Sequence, residues 1–295
     1  MVTVDAHHHV WDLGRRPQGW LAEPGMAPIH RTYTLDDLGG VAADAGVERT
    51  ILVQVLADLA ETVEFLALAA RSDLVAGVVG WADLTADGIG DTLAALRRQP
   101  GGERLVGIRH LVQGEADPAW LNRPDVRRGL AAVGAAGLCY DLLTLPHQLP
   151  AAIDTVRALP EVTFVLDHLS KPPIASGDLE PWATRLRELA AEPNVYCKLS
   201  GLATEADWSS WTVASLRPYA ETALEVFGPG RVMFGSDWPV CLLAGSYADI
   251  IAAARALTAS LSPSDQAQVY GATAIRAYRL PSPHDQGVPH VVRTT

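Results

Sequence analysis

Three consecutive histidines, His7, His8 and His9, end a short apolar run that starts at Val2. Side chains alternate along a strand, so His7 and His9 converge from one side while His8 and Asp5 alternate with them. Two converging imidazoles make a metal site or a proton-transfer pair. A purification tag would not be fused in strand pattern to Val2, Val4 and Asp5. Further polar groups stand at the ends of later apolar runs: Arg109 and His110 in Gly-Ile-Arg-His, Asp141 in Cys-Tyr-Asp, and Asp167, His168 and Lys171 in Asp-His-Leu-Ser-Lys. Lys198 follows in Tyr-Cys-Lys-Leu and Asp237 in Gly-Ser-Asp-Trp-Pro. One such His or Asp often caps a helix or closes a local hydrogen bond. Together they carry a desolvation cost that only a ligand, metal or water would offset, which points to one site.

The elements that must position them read as alternating strands and helices. Apolar, β-rich runs occupy 2–7, 50–56, 75–82, 106–112, 138–143, 163–169, 195–201 and 232–238. Helical periodicity fills the intervals at 35–45, 61–71, 93–98, 126–136, 149–159, 182–191, 216–227 and 247–261. Continuous apolar runs such as Ile51 to Val55 are typical of parallel strands buried on both faces. Eight such units predict a single (β/α)8 barrel over 1–280, with its chemistry at the C-terminal ends of the strands. A dinucleotide-binding fold lacks its Gly-rich loop after the first strand. Residues 14–33 form a long insertion after strand one, expected to hang over that face. A last helix, 263–278, precedes a Pro-rich tail, 281–295, where His284 and His290 are read as solvated.

Composition narrows the partners. The net charge of −11 comes without a basic block, which excludes nucleic acid and anionic membrane as expected partners. No signal-like or membrane-spanning segment is evident, so a cytoplasmic location is the default expectation. Cys139, Cys197 and Cys241 are odd in number and lack metal-site spacing, so buried reduced thiols are expected. Of the 23 basic residues only Lys171 and Lys198 are lysines, which suggests that an ammonium is needed there. Trp11, Trp20 and Trp238 fall near the barrel mouth, where a flat ring can stack on a sugar or simply pack.

The combination of Asp5-Ala-His7-His8-His9, Gly107-Ile-Arg-His110, the 121–128 segment, Val165 to Pro173, Cys197 to Gly201 and Phe234 to Pro239 resembles the amidohydrolase superfamily, in its branch of sugar-acid lactonases. The likeness runs from residue 3 to about 278. It implies a distorted (β/α)8 barrel that hydrolyses the cyclic ester of an aldonolactone, such as L-fuconolactone or L-rhamnonolactone, with the lactone as its small-molecule partner. By the resemblance Asp237 is the general base, and His7, His9, His168 and Asp237 either hold one Zn2+ or, in metal-independent members, act without it. His168 and Lys198 join Asp237 in catalysis on this reading, and Arg109, His110, Asp141 and Trp20 bind substrate. Metal-rich superfamily members carry a lysine on strand four and a histidine on strand five. Arg109 and Asp141 stand there instead, which argues against a second metal ion.

Opening a lactone needs an activated water, a polarised carbonyl and donors for the oxyanion. Two other readings use the same residues: a zinc-dependent decarboxylase or hydratase of a small carboxylic acid, and a barrel that binds a sugar acid without turnover.

Overall fold

The computed structural model describes residues 2–281, so all of the expected tail except Pro281 lies outside the described residues. Eight parallel strands form one sheet in sequence order: β1 (Val4–His8), β2 (Arg49–Val53), β3 (Val75–Gly80), β4 (Leu105–His110), β5 (Cys139–Leu142), β6 (Phe164–Leu166), β7 (Val195–Leu199) and β8 (Val232–Phe234). A parallel bridge from His8 to Trp238 brings the last strand back to the first. Across this seam Asp237 N donates to His7 O at 2.8 Å and His9 N to Trp238 O at 2.7 Å. The expected (β/α)8 barrel is the observed fold.

Eight helices connect the strands: α1 (Leu35–Asp44), α2 (Leu59–Ala69), α3 (Ile89–Arg97), α4 (Pro124–Ala135), α5 (Leu149–Ala158), α6 (Trp182–Ala190), α7 (Val213–Phe227) and α8 (Tyr247–Leu257). Each buries an apolar stripe on the outer face of the strands; in α6, Trp182, Leu186, Leu189 and Ala190 recur at helical spacing and are buried. Side-chain caps fix several starts, as where Thr212 accepts from Ser215 N and begins α7 at Val213, before the apolar period at Leu216.

The barrel interior is layered. Its floor is apolar, with Val4, Ala6, Ile51, Val53, Val79, Val165 and Met233 packed against Tyr278 and Leu280 from the C-terminal helical segment. Charged side chains follow above it, and the mouth lies above them. The sequence reading puts Asp5 on the side away from His7 and His9, although positions 5, 7 and 9 share parity; it lies away from them because the β1 register is irregular between Asp5 and His8. Asp5 therefore faces the helical shell, where its carboxylate accepts from Tyr247 Oη at 3.0 Å and from Ser236 N at 2.8 Å. The histidine pair gains its footing from this slip, because Asp5 anchors β1 from outside while His7 turns inward.

Candidate active site

Two of the strands stop earlier than their apolar runs. β6 ends at Leu166 and β8 at Phe234, and the residues beyond them leave extended geometry. His168, Leu169, Ser170 and Lys171 all have positive φ (51°, 54°, 58° and 51°), as does Asp237 (59°). Such conformations cost about 1–3 kcal/mol each in non-glycine residues and persist only where neighbours enforce them. Here Trp182 Nε1 donates to Leu169 O at 2.7 Å, and Ser170 Oγ lies 2.8 Å from Thr144 Oγ1. The left-handed turn aims His168 and Lys171 into the mouth. Gly201, with φ +67°, leaves the space the His168 ring occupies, since a Cβ there would lie 2.7 Å from Nδ1.

Asp237 sits among three imidazoles. Its Oδ1 lies 3.5 Å from His9 Nε2, 3.7 Å from His7 Nε2 and 3.8 Å from His168 Nε2. Burial alone would raise its pKa, but the His168 field, the His9 hydrogen bond and the His7 field outweigh it and hold the carboxyl below the usual carboxylate range. Asp237 is thus ionised at neutral pH. Burial lowers His168 to about 4 despite the nearby Asp237 and Asp167, so its ring is neutral. His9 Nδ1 lies 2.8 Å from Val53 O, a pure acceptor, which places a proton on Nδ1 and turns Nε2 toward the site.

Below the mouth lies a closed layer of charge. Lys198 is fully buried, with Nζ 2.6 Å from Asp141 Oδ2, 2.8 Å from Asp167 Oδ1 and 3.2 Å from His7 Nδ1. Burial opposes its charge, but the two carboxylates raise its pKa above the usual value and keep the ammonium. Burial would raise Asp167 as well, yet Lys198 first, then His7 and Arg109, hold it well below the usual range. Asp141 is pushed up to about 6 by burial, against the pull of Lys198. Arg109 joins the layer to the mouth: Nη1 reaches Asp167 Oδ2 at 2.9 Å and His7 Nε2 at 3.3 Å, and Nε reaches Gln54 Oε1 at 2.9 Å.

A cavity of about 590 Å3 opens above these groups. Arg109, His9, His168, Asp237 and Lys171 line it together with Trp11, Trp20, Glu23 and Met26, and the last three come from the insertion after β1. Trp20 therefore stands where the sequence reading expects it, while Trp238 is buried edge-on against Tyr33. One expected catalytic residue, Lys198, and two expected substrate contacts, Asp141 and His110, are placed away from the cavity. Lys198 and Asp141 have no exposure and do not line the cavity, because their depth within the barrel commits them to each other and to Tyr278, whose Oη donates to Asp141 at 2.8 Å. His110 turns away from the cavity; its ring stacks on Trp120 at 4.4 Å between centroids, accepts from Trp81 Nε1 and meets Glu115 at 2.7 Å. Gln54, Ser200 and Tyr278 are the neighbours that sequence reasoning missed, and an unexpected polar residue in an apolar strand was the one available signal for Gln54. The three cysteines are free and buried, as expected.

The donor set fits one metal ion. His7, His168 and Asp237 each bring a ligand atom, and these atoms lie within 4.8 Å of one another, a nitrogen and oxygen set suited to zinc. His9 borders this trio, with Nε2 3.1 Å from His7 Nε2. His7 can present either tautomer. Asp167 Oδ1, 3.4 Å from Nδ1, favours a proton there and a free Nε2 lone pair, whereas Lys198 donating to Nδ1 favours the proton on Nε2.

The sequence model of the amidohydrolase family matches residues 4–280, and the chain belongs to this family. The chain is similar to L-fucono-1,5-lactonases of Burkholderia ambifaria, at 38% identity over 95% of this chain and 96% of the relative, and of Burkholderia multivorans, at 39% over 96% and 98%. Among solved structures, an amidohydrolase from Burkholderia multivorans with bound zinc superimposes with a TM-score of 0.89 at 37% identity, covering 95% of this chain and all of that one.

Proposed function

We propose that this protein is a lactonase that opens the cyclic ester of a neutral, polyhydroxylated sugar-acid lactone, with L-fucono-1,5-lactone as the first candidate. The observation that carries this reading is a buried carboxylate, Asp237, with His7, His9 and His168 around it on the floor of a cavity of about 590 Å3. Near-full-length similarity to two L-fucono-1,5-lactonases supports the same substrate class.

In this mechanism the lactone carbonyl rests over His7, His9 and His168, and Asp237 accepts a proton from the attacking water as its oxygen bonds to the carbonyl carbon. The tetrahedral intermediate collapses with cleavage of the ring C–O bond, and Asp237 returns the proton to the leaving alkoxide. The product is the open hydroxy acid. Arg109 and the imidazole N–H groups supply positive potential where the oxyanion develops. Bound at His7, His168 and Asp237, a zinc ion would polarise the carbonyl and lower the pKa of the water. Lys198 acts from below, holding His7 and Asp167 in place.

The wall charges favour a lactone over the carboxylic acid of a decarboxylase. Arg109 is committed to Asp167 at 2.9 Å and Lys171 to Glu205 at 3.1 Å, so both cavity cations already face a carboxylate. A neutral ring needs no spare cation, whereas a substrate carboxylate would have to displace one of these partners. The test is a pH-indicator screen of aldono-1,4- and 1,5-lactones with metal-stripped and zinc-supplemented protein. Asp237→Asn should lower kcat about a hundredfold or more while lactone binding persists, as expected of a lost general base. Near-normal turnover by Asp237→Asn would overturn the assignment of the base, and no turnover of any sugar lactone by the unaltered protein would overturn the reaction.

A further inference from the structure

One polar group on the cavity wall has no role in the chemistry above. Gln113 lies in the short turn Val112–Gly114 that follows β4, and it lines the cavity with Arg109, Leu111 and Leu143. Its side-chain Oε1 is shielded from solvent, and among the described residues it has no hydrogen-bond partner. Buried acceptors in native proteins are nearly always satisfied, and this side chain borders the cavity, so a turn of the amide toward it would let a ligand hydroxyl supply the missing donor.

The turn that carries Gln113 is held on both sides. Gln113 N donates to Leu143 O at 3.0 Å, Gln148 Nε2 donates to Val112 O at 2.8 Å, and Glu115 N donates to Val112 O at 3.0 Å. Glu115 is in turn tied to His110 at 2.7 Å, and His110 stacks on Trp120. This explains why His110 faces away from the cavity: it buttresses the turn from behind. A primary amide offers an acceptor and donors within one plane, which suits a hydroxyl that both donates and accepts. Carried on a fixed turn, it can read such a group without rearrangement of the backbone.

We infer that Gln113 is a specificity-determining residue, whose amide hydrogen-bonds a ring or side-chain hydroxyl of the sugar lactone and selects hydroxylated lactones over plain ones. This rests on the lactonase reading and adds the group that recognises the substrate. The residue takes no part in bond making.

The experiment compares kcat/KM for L-fucono-1,5-lactone and for δ-valerolactone, a six-membered cyclic ester with no hydroxyl, in the unaltered protein and in Gln113→Leu. The ratio of the two should fall roughly fivefold to tenfold in the variant, mainly through KM for the sugar lactone, the size expected of one lost neutral hydrogen bond. An unchanged ratio, including an equal loss on both substrates, would overturn the inference. Gln113→Met, of similar length, replaces Gln113→Leu if that variant fails to fold. If the unaltered protein opens neither lactone, the lactonase reading falls, and binding of L-fuconate followed by tryptophan fluorescence decides the role of Gln113. Weaker binding in the variant by the same factor would sustain it; equal binding, or none by the unaltered protein, would overturn it.

Discussion

Among the described residues Lys198 is the one cation that touches both Asp141 and Asp167, and replacing it by Met removes that contact. Nζ lies 2.6 Å from Asp141 and 2.8 Å from Asp167, and none of these three side chains is exposed. Deleting one partner of a buried ion pair costs about 3–5 kcal/mol, because the charge left behind stays desolvated. Here the two carboxylates do not suffer equally. Asp167 keeps Arg109 at 2.9 Å, whereas Asp141 keeps only the Tyr278 hydroxyl at 2.8 Å. Asp141 is already pushed up to about 6 by burial, so without Lys198 it takes up a proton near neutral pH and relieves part of the penalty. The expected loss at pH 7 is therefore at the lower end, about 3 kcal/mol, or about 5 °C in Tm for a domain of this size. The sign with pH follows from linkage: a carboxyl whose folded pKa is raised favours the folded state at low pH, and that contribution fades as pH rises through the folded value. Lys198→Met should thus be more destabilised at pH 8 than at pH 5, relative to the unaltered protein. Urea unfolding across that range measures it, and Lys198→Met combined with Asp141→Leu should recover more than half of the loss. A loss under about 1 kcal/mol at pH 7, or no recovery in the double variant, would refute the argument that this buried pair carries the interior.

Three further outcomes are expected. Because burial holds His168 near 4 and its neutral form is the working one, kcat/KM should stay level from pH 7 to about 5 and fall as the ring takes up a proton below that; a half-fall near 6.5, the ordinary histidine value, would contradict this. Zinc titration followed by elemental analysis should give one equivalent, lost in His7→Ala and His168→Ala, and a stoichiometry of two would show that Arg109 and Asp141 do not preclude a second ion. Gly201→Ala, whose Cβ would meet the His168 ring at 2.7 Å, should lower kcat roughly tenfold to a hundredfold with folding retained, and unchanged kcat would mean that the ring position is not set there.

Much of the architecture was legible in the sequence because parallel strands buried on both faces leave continuous apolar runs, and six of the eight runs carry polar residues at their C-terminal end. The convergence of His7, His9, His168 and Asp237 was expected from that register, although His168 and Asp237 reach the mouth from left-handed residues beyond β6 and β8. What the sequence does not carry is depth. Lys198 and Asp237 both belong to apolar runs, yet Lys198 lies within β7 and is sealed below the mouth, whereas Asp237 lies beyond the end of β8 at Phe234 and lines it. Periodicity likewise places His110 on β4 without showing that Trp81, Trp120 and Glu115 draw it outward. Asp5 lies on the face away from His7 and His9, as the sequence reading has it, but a register slip and not simple alternation puts it there. Gln113 sits in a turn with no pattern around it, and its relevance emerges only once its neighbours are known.

The seam between β1 and β8 joins His7 to Asp237 through their backbones before their side chains meet, at a sequence separation spanning nearly the whole chain. No partly assembled intermediate that lacks this junction can contain the site. Catalytic competence is then acquired in a single late event, and contacts of such high contact order form slowly. Recovery of turnover during refolding becomes a clock for closure of the ring, separable from the earlier appearance of helical signal. A nascent chain, however much of its barrel has formed on the ribosome, stays inert until its last strand arrives.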